Sequence, residues 1–142
     1  MLVHIPTELY QHLVSYSRLQ LPEEACGFIL GTQSDNDNGE RHAAAFAPLP
    51  NISKQPRTQF EISPTAMLPF LLDQEHPVIG IFHSHPTSPP IPSHHDLQSL
   101  WHTIPTYWIL SLQQPEQPDL QLYQIKKATL TTFHKLSFVI GQ

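Results

Sequence analysis

The chain has 142 residues, a formal net charge of −5 from twelve Asp and Glu against seven Lys and Arg, ten histidines, fifteen prolines and one cysteine. With so few cations and no basic stripe, nucleic acid is excluded as an expected partner. The lone Cys26 excludes an intramolecular disulfide and any cysteine-based zinc cluster. A chain of this length buries roughly 70% of its unfolded surface, so residues 1–142 read as one domain whose core needs no metal, and a metal would serve function. The start MLVHIPTELYQHL has no basic region and no long apolar stretch. Neither a signal peptide nor a membrane span is expected, and the reducing cytoplasm is the expected compartment.

In chain order, residues 7–19 (TELYQHLVSYSRL) place Leu9, Tyr10, Leu13 and Tyr16 on one side at helical spacing, with Thr7 as the N-cap after Pro6. ACGFILG (25–31) predicts a short buried strand, TQSDNDNGE (32–40) a polar turn, and RHAAAFAPL (41–49) the returning partner of a hairpin. TQFEIS (58–63) alternates as a strand does. SPTAMLPFLLDQE (63–75) predicts a helix capped by Ser63, with Pro64 at its first position and a kink or early end at Pro69. PVIGIFHSH (77–85) is a continuous apolar run, as a central strand buried on both faces requires. SHHDLQSLWHT (93–103) predicts a helix, and residues 106–112, 120–125 and 129–140 predict strands. The expected fold is a mixed α/β domain, a sheet of about six strands flanked by two or three helices. An exposed edge of that sheet would permit a homodimer as well as a monomer.

His83 and His85 stand two apart on the predicted strand, so both side chains point to one face. They lie at its carboxyl end, where α/β sheets place ligands. Asp96, in the first turn of the next helix, adds an oxygen donor. Two imidazoles and a carboxylate leave one position of a tetrahedral zinc open, the arrangement of a catalytic ion that makes water acidic near neutral pH. Such a site wants a general base, and Glu23 and Glu24 stand at the mouth of the strand at 25–31. Each feature also has an ordinary explanation. Ser93 to Asp96 has capping-box spacing, the paired glutamates fit a solvated turn, Cys26 fits a small buried core residue, and the prolines from Pro86 to Pro92 fit a stiff connection. His94 and His95 border the site and read as a solvated helix start.

The coincidence of His-x-His, seven residues, Ser, two residues and Asp resembles the JAMM (MPN-plus) metalloprotease family. EACG at 24–27 supplies that family's upstream Glu-x-x-Gly, and GIFHSHP its apolar lead-in and proline. The resemblance implies an MPN-like fold, related in layout to cytidine deaminases, and one zinc ion held by His83, His85 and Asp96. It implies that Glu24, not Glu23, acts as general base and acid on the metal-bound water, and that Ser93 hydrogen-bonds the oxyanion. No long insertion is present, so the chain is most similar to the small stand-alone bacterial members. The implied activity is hydrolysis of the amide bond after the C-terminal Gly-Gly of a ubiquitin-like or sulfur-carrier protein.

Two other classes compete. A zinc nucleobase deaminase needs His-x-Glu and Pro-Cys-x-x-Cys, but His85 stands where the glutamate belongs and Cys26 has no partner cysteine. A non-catalytic metal- or protein-binding MPN module would keep the fold while Glu24 and Ser93 served structure alone.

Overall fold

The computed structural model describes residues 2–33, 39–98, 104–126 and 131–141. Its elements are β1 (Leu2–Ile5), α1 (Thr7–Gln20), β2 (Cys26–Gln33), β3 (Glu40–Leu49), α2 (Pro64–Leu72), β4 (Val78–His85), α3 (His94–Leu97), β5 (Thr106–Ser111), β6 (Asp119–Lys126) and β7 (Thr132–Ile140). The strands run in the order β1-β3-β2-β4-β5-β6-β7 and close into a barrel by pairing β7 with β1. The architecture is mixed α/β as expected, but with seven strands rather than about six. The additional strand is β1, whose four residues LVHI are too few for a periodic signal; it lies parallel to both of its neighbours. Closure pairs both edges of the sheet, so among the described residues no strand edge is left open of the kind that would have permitted a homodimer.

Strand alternation sorts the apolar residues into two cores. On one face of the sheet, Val3, Ile5, Ile29, Phe46, Phe82, Trp108 and Leu122 pack with Leu9, Leu13 and Val14 of α1. On the other, Phe28, Ile81, Ile109 and Tyr123 pack with Phe60 and Ile62, under Ala66, Met67 and Phe70 of α2 and Leu97 of α3. β4 feeds both cores and every residue from Ile79 to His85 is buried, as the continuous apolar run predicts. A register shift against β2 lets Ile79 and Gly80 face the same side. A Cβ at Gly80 would stand 2.6 Å from Trp108 Nε1 and 2.7 Å from Thr106 Oγ1, so the indole takes the space that a side chain would need.

The segment 58–63 alternates in burial but is not a strand. Phe60 and Ile62 are buried, yet the backbone between them is held by Asn51, whose amide donates to the Gln59 carbonyl (3.0 Å) and whose Oδ1 accepts from Glu61 N (3.1 Å). A side chain replaces the ladder. Smaller differences follow the same logic of local partners. Pro6, not Thr7, is the N-cap of α1. Ser63 caps α2 by position, but its hydroxyl pairs with Thr65 Oγ1 at 2.8 Å instead of a backbone N–H. Pro69 sits inside α2, which ends at Leu72, where the Asp73 carboxylate accepts from Glu75 N and His76 N. The expected helix at 93–103 is seen from His94 to Leu97, and residues 99–103 lie outside the described residues, as do 34–38 of the expected turn and 129–130 of the last strand.

Gly27 shows why the Glu-x-x-Gly spacing suits this fold. A Cβ there would run into the Ala47 carbonyl oxygen and approach Pro48 Cα to 2.9 Å, both on β3. Because those atoms are backbone, Gly27→Ala is expected to force β2 and β3 apart and lower stability by about 2–3 kcal/mol. Urea denaturation checks this: a midpoint shift with an unchanged slope is expected, and a midpoint equal to wild type would contradict the close approach.

Candidate active site

His83 and His85 leave the same face of β4, at the edge of the second core. His83 is fully buried, stacked on Phe60 at 4.6 Å between ring centroids and edge-on to Tyr107 at 5.4 Å. His85 lies nearer the mouth, and its Nδ1 donates to the Pro89 carbonyl at 2.8 Å. That bond makes Nδ1 the donor to a backbone carbonyl and leaves Nε2 to face the Asp96 carboxylate.

Asp96 reaches both histidines because α3 starts as a capping box. Ser93 Oγ accepts from Asp96 N (3.1 Å), and Asp96 Oδ2 accepts from Ser93 N (2.8 Å). The same Oδ2 stands 3.2 Å from His83 Nε2 and 3.4 Å from His85 Nε2, and the two Nε2 atoms are 3.0 Å apart. The capping box and the approach of Asp96 to both histidines are therefore one arrangement.

Glu24 joins them through sheet register. β2 and β4 are antiparallel with Cys26 opposite His83, and continuing that register sets Glu24 opposite His85. Ser84 locks the junction: its Oγ accepts from Ala25 N at 2.8 Å and its N donates to the Ala25 carbonyl at 3.0 Å. Glu24 is buried and Glu23 is exposed, so the two adjacent carboxylates are separated by geometry. Of the five expected site residues, His83, His85 and Asp96 form a buried triangle, Ser93 braces it, and Glu24 lies beside it in a buried position. His94 and His95 are exposed, as a solvated helix start requires.

Burial and charge set the protonation states. Asp96 would be raised by burial, but the charge of His83 and hydrogen bonds from His83, His85 and Ser93 N hold it well below the usual carboxylate range. Burial holds His83 below its ordinary value against the pull of Asp96. For His85 burial works downward too, but bonds to Asp96 and Pro89 and the charges of Asp96 and Glu24 raise it. Glu24 is pushed up to about 8, mainly by burial, with Asp96 adding to the rise and His85 opposing it. Such a carboxyl is poised to exchange a proton near neutral pH. Burial and the nearby Glu24 push the Cys26 thiol up to about 12, so it is a core residue and not a nucleophile.

The donors fit a metal ion. Three ligand atoms 3.0–3.4 Å apart have the spacing of three corners of a tetrahedron around an ion with bonds of about 2.0–2.2 Å. Two imidazole nitrogens and one carboxylate oxygen suit zinc. The neighbouring Glu24 Oε1 is buried with no hydrogen-bond partner among the described residues.

The Prok-JAB profile, prokaryotic homologs of the JAB domain, matches residues 6–126. The chain belongs to this family. Among relatives, the Prok-JAB chain is 26% identical over 130 residues to the CysO-cysteine peptidase of Mycobacterium bovis, spanning 89% of this chain and 85% of that one. It is 34% identical over 98 residues to a desampylase of Pyrococcus furiosus, spanning 66% and 62% of the two chains. Its fold matches the solution structure of protein DSY2949 from Desulfitobacterium hafniense with a TM-score of 0.80, at 28% identity, covering 99% of this chain and 92% of that one. The resemblance to the small stand-alone JAMM-type proteins, read from the motif, is thereby established.

Sequence reasoning did not find the residues that hold these groups in place. Asn51 is foremost: its amide donates to the carbonyls of Glu24 (3.1 Å), Pro56 (3.4 Å) and Gln59 (3.0 Å). Its only local trace is the Asn-x-Ser turn in which Ser53 N donates to Asn51 Oδ1 at 3.1 Å. Tyr123 and Ser111 donate to the carbonyls of Pro90 and Ser88, and nothing in their own strands signals that role.

Proposed function

We propose that this protein is a zinc-dependent peptidase or isopeptidase that hydrolyses the amide bond after the C-terminal Gly-Gly of a ubiquitin-like or sulfur-carrier protein. It would act in the cytoplasm as a single catalytic domain over residues 1–142, as a monomer or homodimer. The observation that carries the reading is the convergence of His83, His85 and Asp96 beside a buried Glu24. The names of the relatives support the substrate class, since one is a CysO-cysteine peptidase and another a desampylase.

His83, His85 and Asp96 would hold the zinc, which when bound polarises a carbonyl and makes water acidic near neutral pH. Glu24 takes the proton of the attacking water and hands it to the departing amine, so the same carboxyl serves as base and then as acid. Ser93 Oγ already accepts from Asp96 N, and its hydroxyl hydrogen has no acceptor among the described residues. That hydrogen is available to donate to the oxyanion of the tetrahedral intermediate. A non-catalytic module gives no account of a carboxyl buried at 4% exposure whose Oε1 has no hydrogen-bond partner among the described residues, because such an arrangement lowers stability.

Purified protein should carry one zinc ion per chain that survives desalting, and His83→Ala/His85→Ala should lose it. Elemental analysis finding that zinc retained in the double variant would remove the metal assignment.

Glu24→Gln should keep the fold, the tight zinc and affinity for a Gly-Gly-tailed carrier, while turnover falls by roughly 10²–10⁴, the contribution of general acid–base catalysis. The exposed Glu23→Gln should cleave nearly as wild type does. Cleavage rates of carrier fusions, read by mass spectrometry with zinc content checked, decide the matter; wild-type activity in Glu24→Gln ends the peptidase reading.

Ser93→Ala should cost about 1 kcal/mol of stability through the lost cap and about 10²–10³ in turnover through the lost oxyanion donor. Turnover unchanged in a destabilised variant would leave Ser93 with the cap alone.

A further inference from the structure

On the outer surface of the barrel a second cluster of metal-ligating side chains stands on strands remote in sequence from the first. β1 and β3 are parallel, with Leu2 opposite Glu40 and His4 opposite His42. Val3 and Ile5 point into the core, as do Arg41 and Ala43. His4, Glu40 and His42 therefore share the outward face, and one ligand atom from each lies within 4.8 Å of the others. We propose that His4, Glu40 and His42 form a second binding site, for an exchangeable divalent transition-metal ion such as zinc.

Three observations point to a ligand. The imidazoles of His4 and His42 stack with centroids 4.4 Å apart and planes 7° from parallel, which brings their ring nitrogens within reach of one ion. His4 Nε2 is buried and has no hydrogen-bond partner among the described residues. Glu40 Oε1 stands 3.8 Å from it, within ion-pair range but too far for a hydrogen bond. Two bonds of about 2.0–2.2 Å to one ion span such a gap, so a cation would satisfy both atoms at once.

The surroundings also allow it. The histidines border a surface depression of about 420 Å³ reached past Pro6, Val139 and Gly141. Glu40 is half-buried and His42 exposed, which leaves them free to turn the short distance that ligation needs. Two nitrogens and one oxygen suit zinc and its first-row neighbours rather than calcium or magnesium. The fourth position would fall to water. Because β1 has only four residues, an ion shared by β1 and β3 would tie that short strand to its neighbour. This site does not depend on the peptidase reading.

Zinc titration by calorimetry, on protein washed free of exchangeable metal and on protein stripped completely, tests the proposal. Stripped wild type should take up two zinc ions, and stripped His42→Ala one. The His83→Ala/His85→Ala variant should bind a single exchangeable zinc. At about a hundredfold excess over its dissociation constant that zinc should raise the melting temperature by about 9 °C, and adding His42→Ala should abolish both effects. If His42→Ala fails to fold by circular dichroism, Glu40→Gln, which keeps the shape of the side chain, should weaken the exchangeable site at least tenfold. A His83→Ala/His85→Ala variant that binds no exchangeable zinc, an exchangeable zinc that survives the added His42→Ala, or an unchanged constant in Glu40→Gln overturns the site.

Discussion

A single carboxylate oxygen organises the candidate active site. Asp96 Oδ2 accepts from Ser93 N at 2.8 Å and faces His83 Nε2 and His85 Nε2 at 3.2 and 3.4 Å, in a residue only 3% exposed. An ionised carboxylate taken out of water is tolerated only when it is paired and hydrogen-bonded on every side. Here the pairing comes from two different sources, the start of a helix and the end of a strand. The helix contribution is local, an N-terminus whose exposed N–H groups attract an anion. The strand contribution is distant in sequence, and only the folded barrel brings it within reach. One atom thus couples the correct start of α3 to the correct end of β4.

That coupling requires the connection between them to hold its shape. Three consecutive carbonyls in the proline-rich segment each accept one side-chain donor: Ser88 from Ser111, Pro89 from His85 and Pro90 from Tyr123. Prolines suit this segment because their restricted φ lowers the entropy lost when it is fixed, and their missing N–H leaves no donor to satisfy. The donors sit on β4, β5 and β6, so the segment is tied to three adjacent strands. Opposite it, Asn51 binds the carbonyls on either side of the Glu24 approach, and Ser84 binds Ala25 by both hydrogen-bonding groups. The groups proposed to do chemistry stand on or beside strands, and their supports are hydrogen bonds from buried or half-buried side chains. Preorganisation of this kind lets donors act in a transition state without first rearranging.

What the sequence revealed and what it withheld divides along the range of the interactions. His83 and His85 were legible because strand period alone puts them on one face, and Asp96 because a capping box has a fixed spacing. The continuous apolar run of β4 announced its burial in two cores. β1 was not legible, since LVHI carries no pattern of its own and becomes a strand only between β3 and β7. TQFEIS showed the reverse: its alternation correctly marked Phe60 and Ile62 as buried, but periodicity records which side chains are inside, not what the backbone bonds to. Asn51 supplied those bonds from outside the segment. Choosing between Glu23 and Glu24 likewise needed either a resemblance or the β2–β4 register, and neither is contained in the two adjacent residues.

The register makes that choice for a physical reason. Glu23 points to water and gains nothing from the site, whereas Glu24 enters the face that carries His83 and His85. There its carboxyl loses solvation, has no partner for Oε1, and rises to about 8. Fold stability alone would favour almost any apolar residue at such a position. What a buried, weakly acidic carboxyl offers in exchange is a proton held close to the histidine and aspartate cluster and exchangeable near neutral pH. Asp96, on α3, is driven in the opposite direction by its histidine partners. Two carboxylates in one enclosure with their affinities for a proton pushed apart can divide the work, one remaining an anion that holds a cation and the other carrying a proton between reactants.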